Sequence, residues 1–261
     1  GQAFLIAKEH LHSFTTSEKL QRHIRCLLDN GSMYLVYNGN LLFHASVPMN
    51  PDGTLKEVYL YDGYYKGRSL LDKVDTLIRA AHIPDNDPQL RSFAVDYLWY
   101  LWCGKDAPTF DKDRMATFER YFLKDKAVMK ETKGNYYTLR NEDATVDLLL
   151  EEFGVEGDHR HIINGHIPVK TLKGENPMKA SGRLIVIDGG FSKPYQPQTG
   201  IAGYTLVYHS RGMSLVEHQP FTSTEEAIRN GSDIKSTRHL VETLTERIYV
   251  RDTDKGRDIR F

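Results

Sequence analysis

Met33-Tyr-Leu-Val-Tyr-Asn-Gly-Asn-Leu-Leu-Phe-His44 reads as two short strands, 33–37 and 40–44, folded back on each other at Asn38-Gly39. Asn-Gly is the dipeptide best suited to a type I′ turn, because both central residues need positive φ. Upstream, 17–30 has helical spacing of Leu20, Ile24, Leu27 and Leu28, with Ser17 placed to cap it. Downstream, the spacing predicts helices over 68–81, 89–103, 112–126 and 143–153. The helix over 89–103 looks buried (Phe93, Val95, Leu98, Trp99, Leu101, Trp102) and stops at Gly104. Strands then take over at 161–163, at 183–187, and in a hairpin of 202–209 with 213–218 around Ser210-Arg-Gly212. Residues 222–248 return to a helical pattern, and 251–261 form a charged, loosely held tail. Strands and helices mix without regular βαβ alternation, which predicts an α/β (α+β) chain, with one unit over 1–221 and a helical extension with tail over 222–261.

The bulk numbers remove several function classes. Among 261 residues, 34 basic and 35 acidic side chains leave a formal net charge of −1. No basic field is present to hold nucleic acid without sequence preference. The longest apolar runs, such as 184–187, are far short of the roughly 20 residues a membrane span needs. Cys26 and Cys103 stand far apart with no Cys-x-x-Cys pair, which excludes a zinc knuckle and points to a reducing cytoplasm. Neither a Gly-x-Gly-x-x-Gly nor a Walker loop occurs. The opening Gly1-Gln2-Ala3-Phe4 has no initiator methionine and reads as a segment already in progress.

Two histidines sit where a strand runs into a small-residue loop: His44 before Ala45-Ser46, and His166 after Asn164-Gly165. Small neighbours let an ion or a phosphate approach the backbone, and neutral imidazole is a common ligand for first-row metals. Either histidine alone also fits a strand-end residue bonded to a loop carbonyl. His159 and His161 are a rival pair on one strand face, or a polar turn. Asp188 closes the apolar run 184–187 before Gly189-Gly190, as a functional carboxylate or as a turn-forming Asx residue. Trp99 and Trp102 could stack on a sugar, though helical spacing favours a core role. Lys105, just past Gly104, could face a phosphate or simply be solvated.

Longer phrases say more than spacing. Tyr34-Leu-Val-Tyr-Asn-Gly-Asn-Leu-Leu-Phe-His44, Asp96-Tyr-Leu-Trp-Tyr-Leu-Trp-Cys-Gly-Lys105, Ile162-Ile-Asn-Gly-His-Ile-Pro-Val-Lys170 and Ile185-Val-Ile-Asp-Gly-Gly-Phe-Ser-Lys193 resemble the class III fructose-1,6-bisphosphatases of bacteria. Thr117-Phe-Glu-Arg-Tyr-Phe-Leu-Lys-Asp-Lys126 and Arg251-Asp-Thr-Asp-Lys-Gly256 fit the same family. The resemblance implies a calcineurin-like metallophosphatase β-sandwich of mixed sheets flanked by helices, with two metal ions, usually manganese, at the strand ends. It implies gluconeogenic hydrolysis of fructose 1,6-bisphosphate to fructose 6-phosphate and phosphate. His44 and His166 match two metal-ligand histidines of that pattern. Asp188 is then a carboxylate that orients a ligand, and Lys105 and Lys193 are candidates for phosphate contacts.

The pattern also requires an Asp-x-His, a Gly-Asp-x-x-Asp-Arg and a Gly-Asn-His, none of which this chain contains. In the family they lie upstream of what is here Gly1. The expectation is therefore a C-terminal portion that holds part of a metal site, has its general acid elsewhere, is inactive by itself, and partners the upstream half or another copy of itself. Two alternatives share the two histidines or dispense with them: a serine/threonine protein phosphatase of the same superfamily, and a non-catalytic assembly module.

Overall fold

The computed structural model describes residues 2–83, 87–221, 223–231 and 235–259. Helices α1 (Gln2–Thr16) and α2 (Glu18–Asn30) lead into the hairpin of β1 (Tyr34–Tyr37) and β2 (Asn40–Phe43). A second hairpin, β3 (Val58–Leu60) and β4 (Gly63–Tyr65), precedes α3 (Gly67–His82) and α4 (Pro88–Cys103). Short α5 (Thr117–Phe122), α6 (Tyr136–Leu139) and α7 (Asp143–Glu152) follow. The chain then runs through β5 (His161–Asn164), β6 (Met178–Lys179), β7 (Leu184–Val186), α8 (Gln196–Thr199), β8 (Gly203–His209) and β9 (Gly212–His218). It finishes with α9 (Thr224–Asn230), β10 (Ser236–Thr243) and α10 (Asp254–Asp258).

The turn between β1 and β2 is the one its dipeptide dictates. Asn38 and Gly39 have φ of 50° and 74°, and Tyr37 lies opposite Asn40 in an antiparallel register. From β2 the sheet grows by parallel addition, in the order β1-β2-β5-β7-β6, with β2–β5 and β5–β7 parallel and both edges antiparallel. Every residue of β5 and β7 is buried. Central parallel strands are covered on both faces, so they need unbroken apolar runs rather than alternation. Strands β8, β9 and β10 form a second, antiparallel sheet. The two sheets meet through one core that joins Leu41, Ile162 and Ile185 to Tyr204 and Leu215, with Leu149 and Leu150 of α7 closing it. A separate cluster packs α3 (Leu70, Val74, Leu77) on α4 (Ala94, Tyr97, Leu101). Truncating one such leucine to alanine costs about 2–5 kcal/mol.

The mixed α/β class is observed, with several local corrections. The helix expected over 112–126 shrinks to α5, because Lys112 bridges Lys133 backbone to backbone and Glu131 takes the amide of Ala116 at 3.0 Å. The helix expected over 222–248 is α9 followed by strand β10; of that range, 222 and 232–234 lie outside the described residues. Gly231 at φ 57° ends α9, and the β-branched Thr237 and Thr243 then find partners in β9. That pairing spans the boundary drawn at 221/222. Close approach there is strict: a Cβ on Gly212 would sit 2.2 Å from the carbonyl oxygen of Glu242. Helix α4 is less buried than its composition suggests, since Val95, Trp99 and Trp102 are exposed on the face turned from α3. Helix α1 has no counterpart in the sequence reading, because its apolar residues show no single stripe and Phe4, Leu5 and Ile6 are exposed.

The tail expected to be loose is tied down over its described part; 260–261 lie outside it. The Asn38 amide donates to Asp254 Oδ2 at 2.6 Å, and the Asp254 amide donates to Asn38 Oδ1 at 2.8 Å. Asp254→Ala removes one half of this clasp. It is expected to lower stability by about 1 kcal/mol and to speed hydrogen exchange at the Asn38 amide, read by denaturant unfolding and exchange NMR.

Candidate functional site

Parallel pairing decides where the histidines meet. Phe43 lies opposite Asn164, and Asn164 opposite Val186, so β2, β5 and β7 end on the same rim. His44 follows β2 directly, His166 follows β5 by two residues, and Asp188 follows β7 by two. In open sheets the crevice outside the carboxyl ends of parallel strands is where ligands bind. Here it brings His44 Nε2 and His166 Nδ1 to 3.1 Å, the rings edge to face with centroids 5.0 Å apart.

Asn164 holds this rim together from beneath. Its side-chain amide donates to the carbonyls of Phe43, His44 and Ala45 at 3.4, 3.2 and 3.0 Å. Its Oδ1 accepts from Arg140 Nη1 at 2.7 Å, and both side chains are buried. The Gly165 amide adds a bond to the His44 carbonyl at 2.9 Å. Ser46, the next small residue, donates to the buried carboxylate of Asp111 at 2.5 Å. His166 itself has φ of 68°, the left-handed region that histidine tolerates better than most side chains. Held strain of this kind gathers at functional loops.

Both imidazoles are biased toward the neutral form. Loss of water pushes the His166 pKa down to about 4, with help from the charges of His44, Lys112 and Lys133. Loss of water also lowers that of His44, against an opposing pull from Asp188. Neutral rings are what a cation requires of its ligands. Two nitrogens 3.1 Å apart have the separation of adjacent ligands on one ion bound at about 2.1 Å. His166 Nε2, the nitrogen turned from His44, is buried with no hydrogen-bond partner among the described residues. The donor set thus fits a divalent ion in part. Among the described residues no group of three or more His, Cys, Asp or Glu could complete it.

The remaining sequence candidates divide. Asp188 behaves first as the turn-former, Oδ1 accepting the Gly190 amide at 2.9 Å, while its charge still reaches His44. Lys105 lines a pocket with Lys112 and Lys133. Lys193 lies elsewhere, beside Phe191 and His218. His159 and His161 instead engage Glu242 of β10, at 2.6 and 3.9 Å, and so link the two sheets. Trp102 is not core; with Leu98 and Phe110 it lines a hollow of about 450 Å3 against His44 and His166. Phe110 and Tyr137 flank the His166 ring at centroid distances of 6.1 and 6.5 Å. Arg140, Asn164, Lys112 and Lys133 escaped the sequence reading. For Asn164 a signal existed, a polar residue ending an apolar strand just before glycine.

The chain matches the family described as Firmicute fructose-1,6-bisphosphatase over residues 4–261. It is 64% identical over 247 residues to the class 3 fructose-1,6-bisphosphatase of Phocaeicola vulgatus, covering 95% of this chain and 37% of that protein. It is 62% identical over 255 residues to the Bacteroides fragilis protein of the same name, covering 98% and 38%. The Clostridium botulinum protein of that name is 54% identical over 249 residues, covering 95% and 37%. The chain thus spans under two fifths of the length of these relatives. No solved structure matches.

Two outcomes follow from the site's physics. An unfolded His takes up its proton near pH 6.5, whereas folded His166 does so only near 4. Between those values the unfolded state binds more protons, so stability falls as pH drops from 6.5 to 4, by about 2–3 kcal/mol from this residue. His166→Asn, which also tolerates positive φ, should flatten that slope in pH-dependent unfolding. Asn164→Leu keeps the volume but removes the acceptor of the Arg140 guanidinium and the amide that bonds the carbonyls of Phe43, His44 and Ala45. It is expected to cost about 2–4 kcal/mol in denaturant unfolding.

Proposed function

Because the chain belongs to the Firmicute fructose-1,6-bisphosphatase family, we propose that the protein it contributes to hydrolyses fructose 1,6-bisphosphate to fructose 6-phosphate and phosphate. One observation carries the assignment of residues: two neutral imidazoles converge to 3.1 Å at the carboxyl ends of adjacent parallel strands. His44 and His166 would hold a divalent ion, manganese in this reading, in a site of the calcineurin-like metallophosphatase kind. When bound, such an ion neutralises charge on the phosphoryl group and lowers the pKa of a coordinated water.

The chain's own residues do the rest of their share by position. Asn164 and Arg140 fix the His44 loop, and Phe110 and Tyr137 keep water from the His166 ring. A phosphoryl transition state needs placement and positive charge more than covalent help, and Lys112 supplies charge close to His166. The oxygen ligands and the general acid fall to the further length that the relatives possess. That part would also cover the exposed aromatic face of Trp99, Trp102, Phe118 and Phe122. The reaction belongs to the cytoplasm; among the described residues no helix is long and apolar enough to cross a membrane.

In the complete protein, His44→Ala and His166→Ala are each expected to cut phosphate release from fructose 1,6-bisphosphate by about 100-fold or more, with the circular dichroism melt little changed. The 261 residues alone with added manganese should release no measurable phosphate. Near-normal turnover by either variant, or by the isolated chain, overturns the reading.

A further inference from the structure

Beside the histidine rim lies a second hollow, of about 430 Å3, whose lining includes Lys105, Lys112, Lys133 and the turn at Gly134-Asn135. Its carboxylates are occupied. Asp106 pairs with Lys56 at 2.7 Å, Asp113 accepts the Thr132 amide at 2.6 Å, and buried Asp111 accepts the Ser46 hydroxyl. Lys112 is held by Glu131 at 2.9 Å. Among the described residues, no carboxylate lies within ion-pair distance of Lys105 or Lys133.

Lys133 stands in an uncompensated field. Its Nζ lies 5.9 Å from the centre of the Tyr137 ring, and the Arg140 guanidinium lies 5.4 Å from the same centre. Loss of water lowers its pKa first, then the charges of Arg140, Lys170 and Lys112, with Glu175 alone opposing. Solvent still reaches the residue. Of the cations, Lys105, Lys112 and Lys133 line the open hollow together, and like charges so placed favour an incoming anion, which gains from each of them and relieves their repulsion.

Tyr137 also places this hollow relative to the histidines. Its ring stacks on His166 with centroids 6.5 Å apart, and its centre lies 5.9 Å from Lys133 Nζ.

We propose that this hollow is a phosphomonoester site, with Lys133 and Lys105 as its contacts, and that it takes the phosphate of the sugar bisphosphate that is not cleaved. The identification of that phosphate rests on the hydrolase reading above; the anion site itself does not. Lys133 and Lys105 donate to the phosphate oxygens. The site thereby selects bisphosphates over monophosphates and orients the other end toward His44 and His166.

The test uses the complete protein, wild type against Lys133→Gln and Lys105→Gln, with fructose 1,6-bisphosphate and fructose 1-phosphate. The expected result is a rise of about tenfold or more in KM for the bisphosphate in Lys133→Gln, with kcat within about twofold, equivalent to one lost charged hydrogen bond. Kinetics with fructose 1-phosphate should not change, and Lys133→Arg should recover most of the loss. Calorimetric titration of metal-free protein with fructose 1,6-bisphosphate and with inorganic phosphate gives a readout independent of turnover. If the wild type fails to hydrolyse the bisphosphate yet binds it more tightly than Lys133→Gln does, the hydrolase reading falls and the anion site stands. Equal binding of both ligands by wild type and Lys133→Gln, or an equal KM rise for fructose 1-phosphate, overturns the site.

Discussion

The parallel pairing of β2 with β5 is the constraint on which the rest depends. It sets Phe43 against Asn164 and so delivers His44 and His166 to the same rim, though 122 positions separate them. An antiparallel pairing would have sent them to opposite ends of the sheet. Strand pairing alone leaves the loops free, and Asn164 removes that freedom by donating to three successive carbonyls. Arg140 in turn fixes Asn164, and reaches it from the turn that follows α6. A core position in β5 therefore has two jobs, closing the sheet below and shaping the crevice above.

The legible parts of this fold are those that local chemistry specifies. Asn38-Gly39 admits few backbone shapes, and the turn formed as read. The apolar pairs and runs Ile162-Ile163 and Leu184-Ile-Val186 needed only burial on both faces, and became parts of central strands. The failures lie where a distant partner decides. Residues 236–243 have no strong preference until β9 offers its edge, and residues 112–116 lose their helix to Glu131 and Lys133. At the site, single residue types announced the two histidines, whereas Arg140 and Lys133 gained their roles only through neighbours brought by folding. Asp188 shows both levels at once, a turn-former locally and a charge beside His44 in space.

The rim combines two opposite electrostatic conditions within a short span. His44 and His166 are kept uncharged by loss of water. A few ångströms beyond the Tyr137 ring, lysines and an arginine remain as cations with too few counter-charges. Neutral donors suit a cation, and unbalanced cations suit an anion. On the function proposed above, a phosphorylated sugar bound through a metal ion would present both needs together.

The clasp between Asn38 and Asp254 joins residues 216 positions apart. Closing a flexible loop of that length costs on the order of 5 kcal/mol, more than the roughly 1–3 kcal/mol that two hydrogen bonds return. The clasp therefore cannot initiate assembly; it closes only after the two sheets have brought its ends together. During synthesis the first hairpin leaves the ribosome long before residue 254 exists. Its turn must wait for residue 254, 216 positions later, with its Asn38 amide turned to water, which makes the clasp a late fastening that follows the joining of the two sheets.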